Sequence, residues 1–101
     1  MPPHADRIAF DAYVIDALMP DLVGHDRRAS AFVLFLYLWR KTAGGTRPAV
    51  ASLQMMADGT GLAKRSVQAA LRVLERRRLV TLRRRSPTAA PSLTLHRQWL
   101  S

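Results

Sequence analysis

The chain has 101 residues, of which 49% are apolar, 23% are charged and none is cysteine. That is the length of one small domain with enough apolar surface for a core, and it excludes disulfide scaffolds, thiolate metal sites and thiol nucleophiles. Sixteen Lys and Arg against seven Asp and Glu give a formal charge of +9, which points to a polyanionic partner, either nucleic acid or an anionic membrane surface.

Taken in chain order, residues 1–5, with two prolines, read as loose. Ile8, Phe10, Tyr13, Val14, Ala17 and Leu18 then recur at three- and four-residue spacing. This predicts an amphipathic helix over Arg7–Met19, capped by Asp6 and stopped at or before Pro20. Asp26 is the expected N-cap of a second helix running to about Thr42, where Gly44 and Gly45 end it. Its apolar run, Ala31 to Trp39, is nine residues long, about half of the roughly 20 that cross a bilayer. It reads as a core helix. Arg47 to Val50 can make a brief strand. Ser52 is the expected N-cap of a helix across Leu53, Met56 and Ala57, broken by the glycines of Asp58-Gly59-Thr60-Gly61.

A third helix follows from Ala63 to about Arg77. Val67, Ala70, Leu71 and Leu74 lie at i, i+3, i+4 and i+7 and face the core, leaving Lys64, Arg65, Ser66, Gln68, Ala69, Arg72 and Arg76 outward. Leu79–Arg83 and Ser92–His96 form a hairpin with a proline-rich tip. The fold class is therefore mainly α with a small β-hairpin. Residues 1–25 form an acidic-apolar leader and a candidate dimerisation element; residues 26–101 have the layout of a winged helix-turn-helix. In that layout the helices around Thr60-Gly61 cross steeply, so that the second offers its polar face to a major groove about 12 Å wide.

The stretch SLQMMADGTGLAKRSVQAALRVLERRRLV, Ser52 to Val80, resembles the winged-helix signature of bacterial and phage regulators. A Gly turn, a short basic-polar segment, a Val-x-x-Ala-Leu-x-x-Leu helix and a closing apolar pair follow one another. Upstream, FDAYVIDALMPDLVGHDRRASAFVLFLYLWRKTAGG resembles the lead-in of DnaD-like and phage replication-initiator winged helices. Two positions depart from the pattern: Ala63 stands where such motifs place a capping Ser or Thr, and Gly59 interrupts the end of the preceding helix.

Charge placement agrees with that layout. Residues 1–26 hold Asp6, Asp11, Asp16, Asp21 and Asp26 against Arg7, a net of −4, while residues 27–101 hold 15 bases against Asp58 and Glu75, a net of +13. Nine of the bases fall between Lys64 and Arg85. Arg65 and Arg72 suit guanine or phosphate, Gln68 has the donor and acceptor that adenine requires, and Lys64 suits phosphate. Arg83, Arg84 and Arg85 lie at the wing tip, where they would follow a backbone or enter a minor groove. Arg76 to Arg78 sit at a helix C-terminus, where the macrodipole also favours cations. The plain alternative for both clusters is a solvated, solubilising surface.

The second helix is apolar on nearly all sides, so something must cover its second face: the leader of the same chain, or a second copy in a two-fold dimer. His4, His25 and His96 are far apart and have no companion at metal-ligand spacing. Asp21, His25 and Ser30 make a triad only on paper, and no phosphate-binding glycine loop occurs. No catalytic site, cofactor, metal, membrane contact or small-molecule ligand is expected. The N-terminus carries no secretory signal, so a cytoplasmic, nucleoid-associated protein is expected. The expected function is sequence-specific binding of double-stranded DNA by a homodimer acting as a transcriptional regulator, a repressor because no effector domain is appended. The alternatives are an origin-binding replication-initiation module of a phage or plasmid, and a winged helix that binds protein.

Overall fold

A computed structural model describes residues 7–100; His4, the Asp6 cap and the loose residues 1–5 lie outside them. The chain is mainly helical, with a small three-stranded antiparallel sheet. Three α-helices, α1 (Ala29–Lys41), α2 (Leu53–Thr60) and α3 (Lys64–Arg76), are joined by strands β1 (Ala49–Val50), β2 (Val80–Arg83) and β3 (Ser92–Leu95).

The leader differs from the expectation at both ends. Its helical part comprises two π-helical stretches, Val14–Leu18 and Pro20–His25, which run on past the proline. Pro20 opens the second stretch at a position where a backbone N–H is not needed, so its fixed φ starts a turn instead of stopping one. The wide hydrogen-bond spacing is visible at the end of the segment, where the Asp26 N–H donates to the Asp21 carbonyl at 2.8 Å. Residues 7–11 are not helical; there the Ala9 carbonyl accepts from Trp39 Nε1 at 2.9 Å and Phe10 packs on the Trp39 ring, which competes with a helical turn.

Val14, Leu18 and Leu22, at four-residue steps, are buried and share a core with α1, which buries Ala31, Phe32, Leu34, Phe35, Leu38 and Trp39. The second face of α1 is thus covered within one chain. Asp26 does not cap α1. The cap position is Arg28, without a side-chain cap bond, because the Asp26 carboxylate is turned to Arg77 and His25. At the other end the expectation holds: α1 stops at Thr42, whose buried hydroxyl donates to the Leu38 carbonyl at 2.7 Å and accepts from the Gly45 N–H at 3.0 Å.

The brief strand and the hairpin form one sheet in the order β1-β3-β2. Ala49 pairs with Leu93, and Val80 with Leu95 through to Arg83 with Ser92. Leu93 and Leu95 are buried while Thr94 is exposed, so β3 closes the core with one face and leaves the other polar. Among the described residues no helix is long and apolar enough to cross a membrane.

Candidate nucleic-acid interface

The approach to α3 is built from short-range hydrogen bonds. Ser52 caps α2, its hydroxyl accepting from the Met55 N–H at 3.1 Å. The helix then runs through Gly59 to Thr60, so the expected break at the first glycine does not occur. Gly59 answers a different need: a Cβ there would overlap Cε1 of Tyr37 on α1. Gly61 alone ends α2, in the left-handed region at φ 80°. Thr60 tightens this turn by donating to the Met56 carbonyl at 2.6 Å and accepting from the Leu62 N–H at 3.2 Å. Ala63, as the sequence requires, caps α3 only by backbone conformation.

On α3, Val67, Ala70, Leu71, Val73 and Leu74 are buried; Val73 joins the four core positions expected. Lys64, Arg65, Gln68, Arg72 and Arg76 are exposed on the other side and Ser66 is half-buried. Each residue advances about 100° around a helix, so Arg65, Arg72 and Arg76 fall in one narrow sector with Gln68 beside them. Arg83 ends β2 on the sheet face away from the core, and Arg84 and Arg85 continue into the exposed tip.

None of Lys64, Arg65, Arg72, Arg76, Arg83, Arg84 and Arg85 is in an ion pair among the described residues. What distinguishes these cations is their placement together on one face of α3 and on the wing, since Arg27, Arg28, Lys41, Arg47 and Arg78 are also exposed and in no ion pair among the described residues. Arg77 and Arg97, by contrast, are taken up by the leader. Arg77 lies 3.2 Å from the carboxylates of both Asp21 and Asp26. Arg97 makes a two-pronged contact with Asp11, each bond 2.9 Å long, and Trp99 Nε1 donates to the same carboxylate at 2.8 Å. These hydrogen bonds, Trp99 first and then Arg97, hold the Asp11 carboxyl below its ordinary value near 3.8, with burial opposing and the Arg97 charge assisting.

No pattern in the sequence gives Arg97 a role, and Arg76 to Arg78 read there as one cluster. The structure divides that cluster into an exposed Arg76, a paired Arg77 and an exposed Arg78. The available signal was the charge imbalance, because an acidic leader beside a basic remainder has pairing partners within its own chain. His25 Nδ1 lies 3.1 Å from the neighbouring Asp26 carboxylate. Among the described residues no cluster of His, Asp and Glu could hold a metal ion. Comparison of the chain with protein-family models, curated proteins and solved structures finds no match.

Proposed function

We propose that this chain is a winged helix-turn-helix protein that binds double-stranded DNA sequence-specifically and acts as a transcriptional repressor, in the cytoplasm and associated with the nucleoid. Helix α3 enters the major groove. Arg65, Gln68 and Arg72 meet base edges, Lys64, Ser66 and Arg76 meet the flanking backbone, and Arg83, Arg84 and Arg85 lie on the backbone or in the adjacent minor groove. The observation that carries this reading is the placement of seven exposed Lys and Arg together on one helix face and the wing, none of them neutralised by an ion pair among the described residues. Paired cations would be neutralised; these are available to release counterions from phosphate. The element order and the β1-β3-β2 sheet agree with a winged helix.

With α1 covered internally, two copies would pair through the outer side of the leader, where Ile15 and Val23 are exposed by 47% and 42%. Such a homodimer suits a two-fold operator.

The test is a mobility-shift titration against a randomised duplex pool at 50 and 200 mM salt. With six to eight phosphate contacts, affinity is expected to fall about a thousandfold or more across that range. Absence of binding at 50 mM salt refutes the reading. Binding without enrichment of any sequence leaves a non-specific coating protein.

A further inference from the structure

The C-terminal end of α3 is tied down from both ends of the chain, in a way that packing of its core face does not require. From the leader, the carboxylates of Asp21 and Asp26 each approach the Arg77 guanidinium to 3.2 Å. From the other side, Gln98 Nε2 donates to the carbonyls of Arg77 and Arg78 at 2.6 Å each. The segment that carries Gln98 is itself sewn to the leader, by Arg97 and Trp99 on Asp11 and by Trp99 stacked on Tyr13 with ring centroids 4.7 Å apart. Apolar burial is non-directional, so it sets the position of a helix end less sharply than charged contacts at particular atoms. Two carboxylates on one guanidinium, that of Asp26 the more enclosed, add a restraint localised at the helix end.

We infer that Arg77 is a positioning residue: clamped by Asp21 and Asp26, it fixes the end of α3 and so the register in which Arg65, Gln68 and Arg72 meet base edges. The inference rests on the DNA-binding reading. At about 100° per residue, Arg77 sits well around the helix from the sector of Arg65, Arg72 and Arg76, and its side chain is occupied by carboxylates. It therefore acts on specificity through α3 without touching phosphate. The acidic leader thereby gains a role: it is the anvil against which the reading helix is set.

The experiment uses the full chain. A preferred duplex is selected from a randomised pool with the wild-type protein, and its Kd is compared with that of a scrambled duplex of equal length over a range of salt. The variants are Arg77→Gln, Arg77→Lys and the double variant Asp21→Asn, Asp26→Asn. Arg77→Gln and the double Asn variant are expected to lose about tenfold of the preference for the selected duplex, the scale of one degraded base contact. The salt slope on the scrambled duplex stays at the wild-type value, and Arg77→Lys restores part of the preference. The added charge of the Asn variant cancels in the ratio. If Arg77→Gln does not fold, the Asn variant, which leaves side-chain size unchanged, carries the test. Unchanged preference in both overturns the inference. So does a salt slope reduced by about 0.9 in Arg77→Gln, which would place Arg77 on a phosphate. A wild-type chain that selects no duplex overturns the reading beneath it, an outcome seen before any variant is made.

Discussion

Arg76 and Arg77 are consecutive and chemically identical, yet Arg76 is exposed and outside any described ion pair while Arg77 is gripped by two leader carboxylates. The same contrast runs through the molecule. On the α3 and wing side, long cationic side chains stand in solvent beside polar ones. On the leader side, Asp11, Asp21 and Asp26 consume the cations that reach them. A single turn of about 100° about the helix axis decides which side a residue joins. Net charge thus does not say which cations stand open to solvent in this chain; that is decided by where each lies relative to the leader carboxylates.

The two sides should respond differently to mutation, and the largest difference lies in stability. Leu22 on the leader is fully buried in the common core, so Leu22→Ala should destabilise the fold by about 2–5 kcal/mol in urea titration. If the leader were an appendage, the loss would be small and DNA binding would survive unchanged. Arg84→Ala on the wing should leave stability within about 0.5 kcal/mol while lowering the salt slope of DNA binding by about 0.9. Arg72→Ala should in addition change which duplex is preferred. A large stability loss in Arg84→Ala would erase the distinction between the two sides.

How much of this was legible in the sequence depends on how local the cause is. The core face of α3 is readable because Val67, Ala70, Leu71 and Leu74 keep a clean helical period, and the exposed residues of the helix follow as its complement. Ser52 and Gly61 were readable because caps act within a few residues. The leader departs from its reading at Pro20 because a proline at the first position of a helical stretch needs no N–H and already has a helical φ, so it opens Pro20–His25 instead of ending the helix. Asp26 looked like a cap because the guanidinium that claims it arrives from α3, far along the chain. Gly59 looked like a helix breaker because the Tyr37 ring that requires it arrives from α1. In each of the last two cases a tertiary neighbour outcompeted a local preference.

The junction between the two sides also stores strain. Arg78 follows α3 in the left-handed region at φ 58°. Its N–H donates to the Glu75 carbonyl and that of Leu79 to the Leu74 carbonyl, both at 2.9 Å, which is a Schellman closure with arginine where glycine is usual. A left-handed conformation costs a residue with a Cβ about 1 kcal/mol, partly offset by the greater backbone freedom that glycine loses on folding. Arg78→Gly should therefore stabilise the fold by about 0.5 kcal/mol in thermal unfolding. A destabilised Arg78→Gly would mean that the arginine side chain contributes more to the junction than its backbone costs.

The smallest expected effect belongs to Asp11, whose side chain is 27% exposed and therefore open to screening. Its carboxyl is held below 3.8 by Trp99 and Arg97, so the folded state binds the proton more weakly than the unfolded chain. The sign follows from linkage: stability from this group is fully present above the unfolded value, about 3.9, and is lost as pH falls through the lower folded value. Asp11→Asn keeps the size and an acceptor for Trp99 but removes the charge, so it resembles the protonated wild type. The stability gap between wild type and Asp11→Asn should be constant above about pH 5 and close as the carboxyl protonates below about pH 4. High salt should narrow it throughout, because the Arg97 contact is partly solvated. A gap that persists unchanged into acid would show that the carboxylate charge does not bind the C-terminal segment to the leader, leaving that task to the Tyr13 and Trp99 rings.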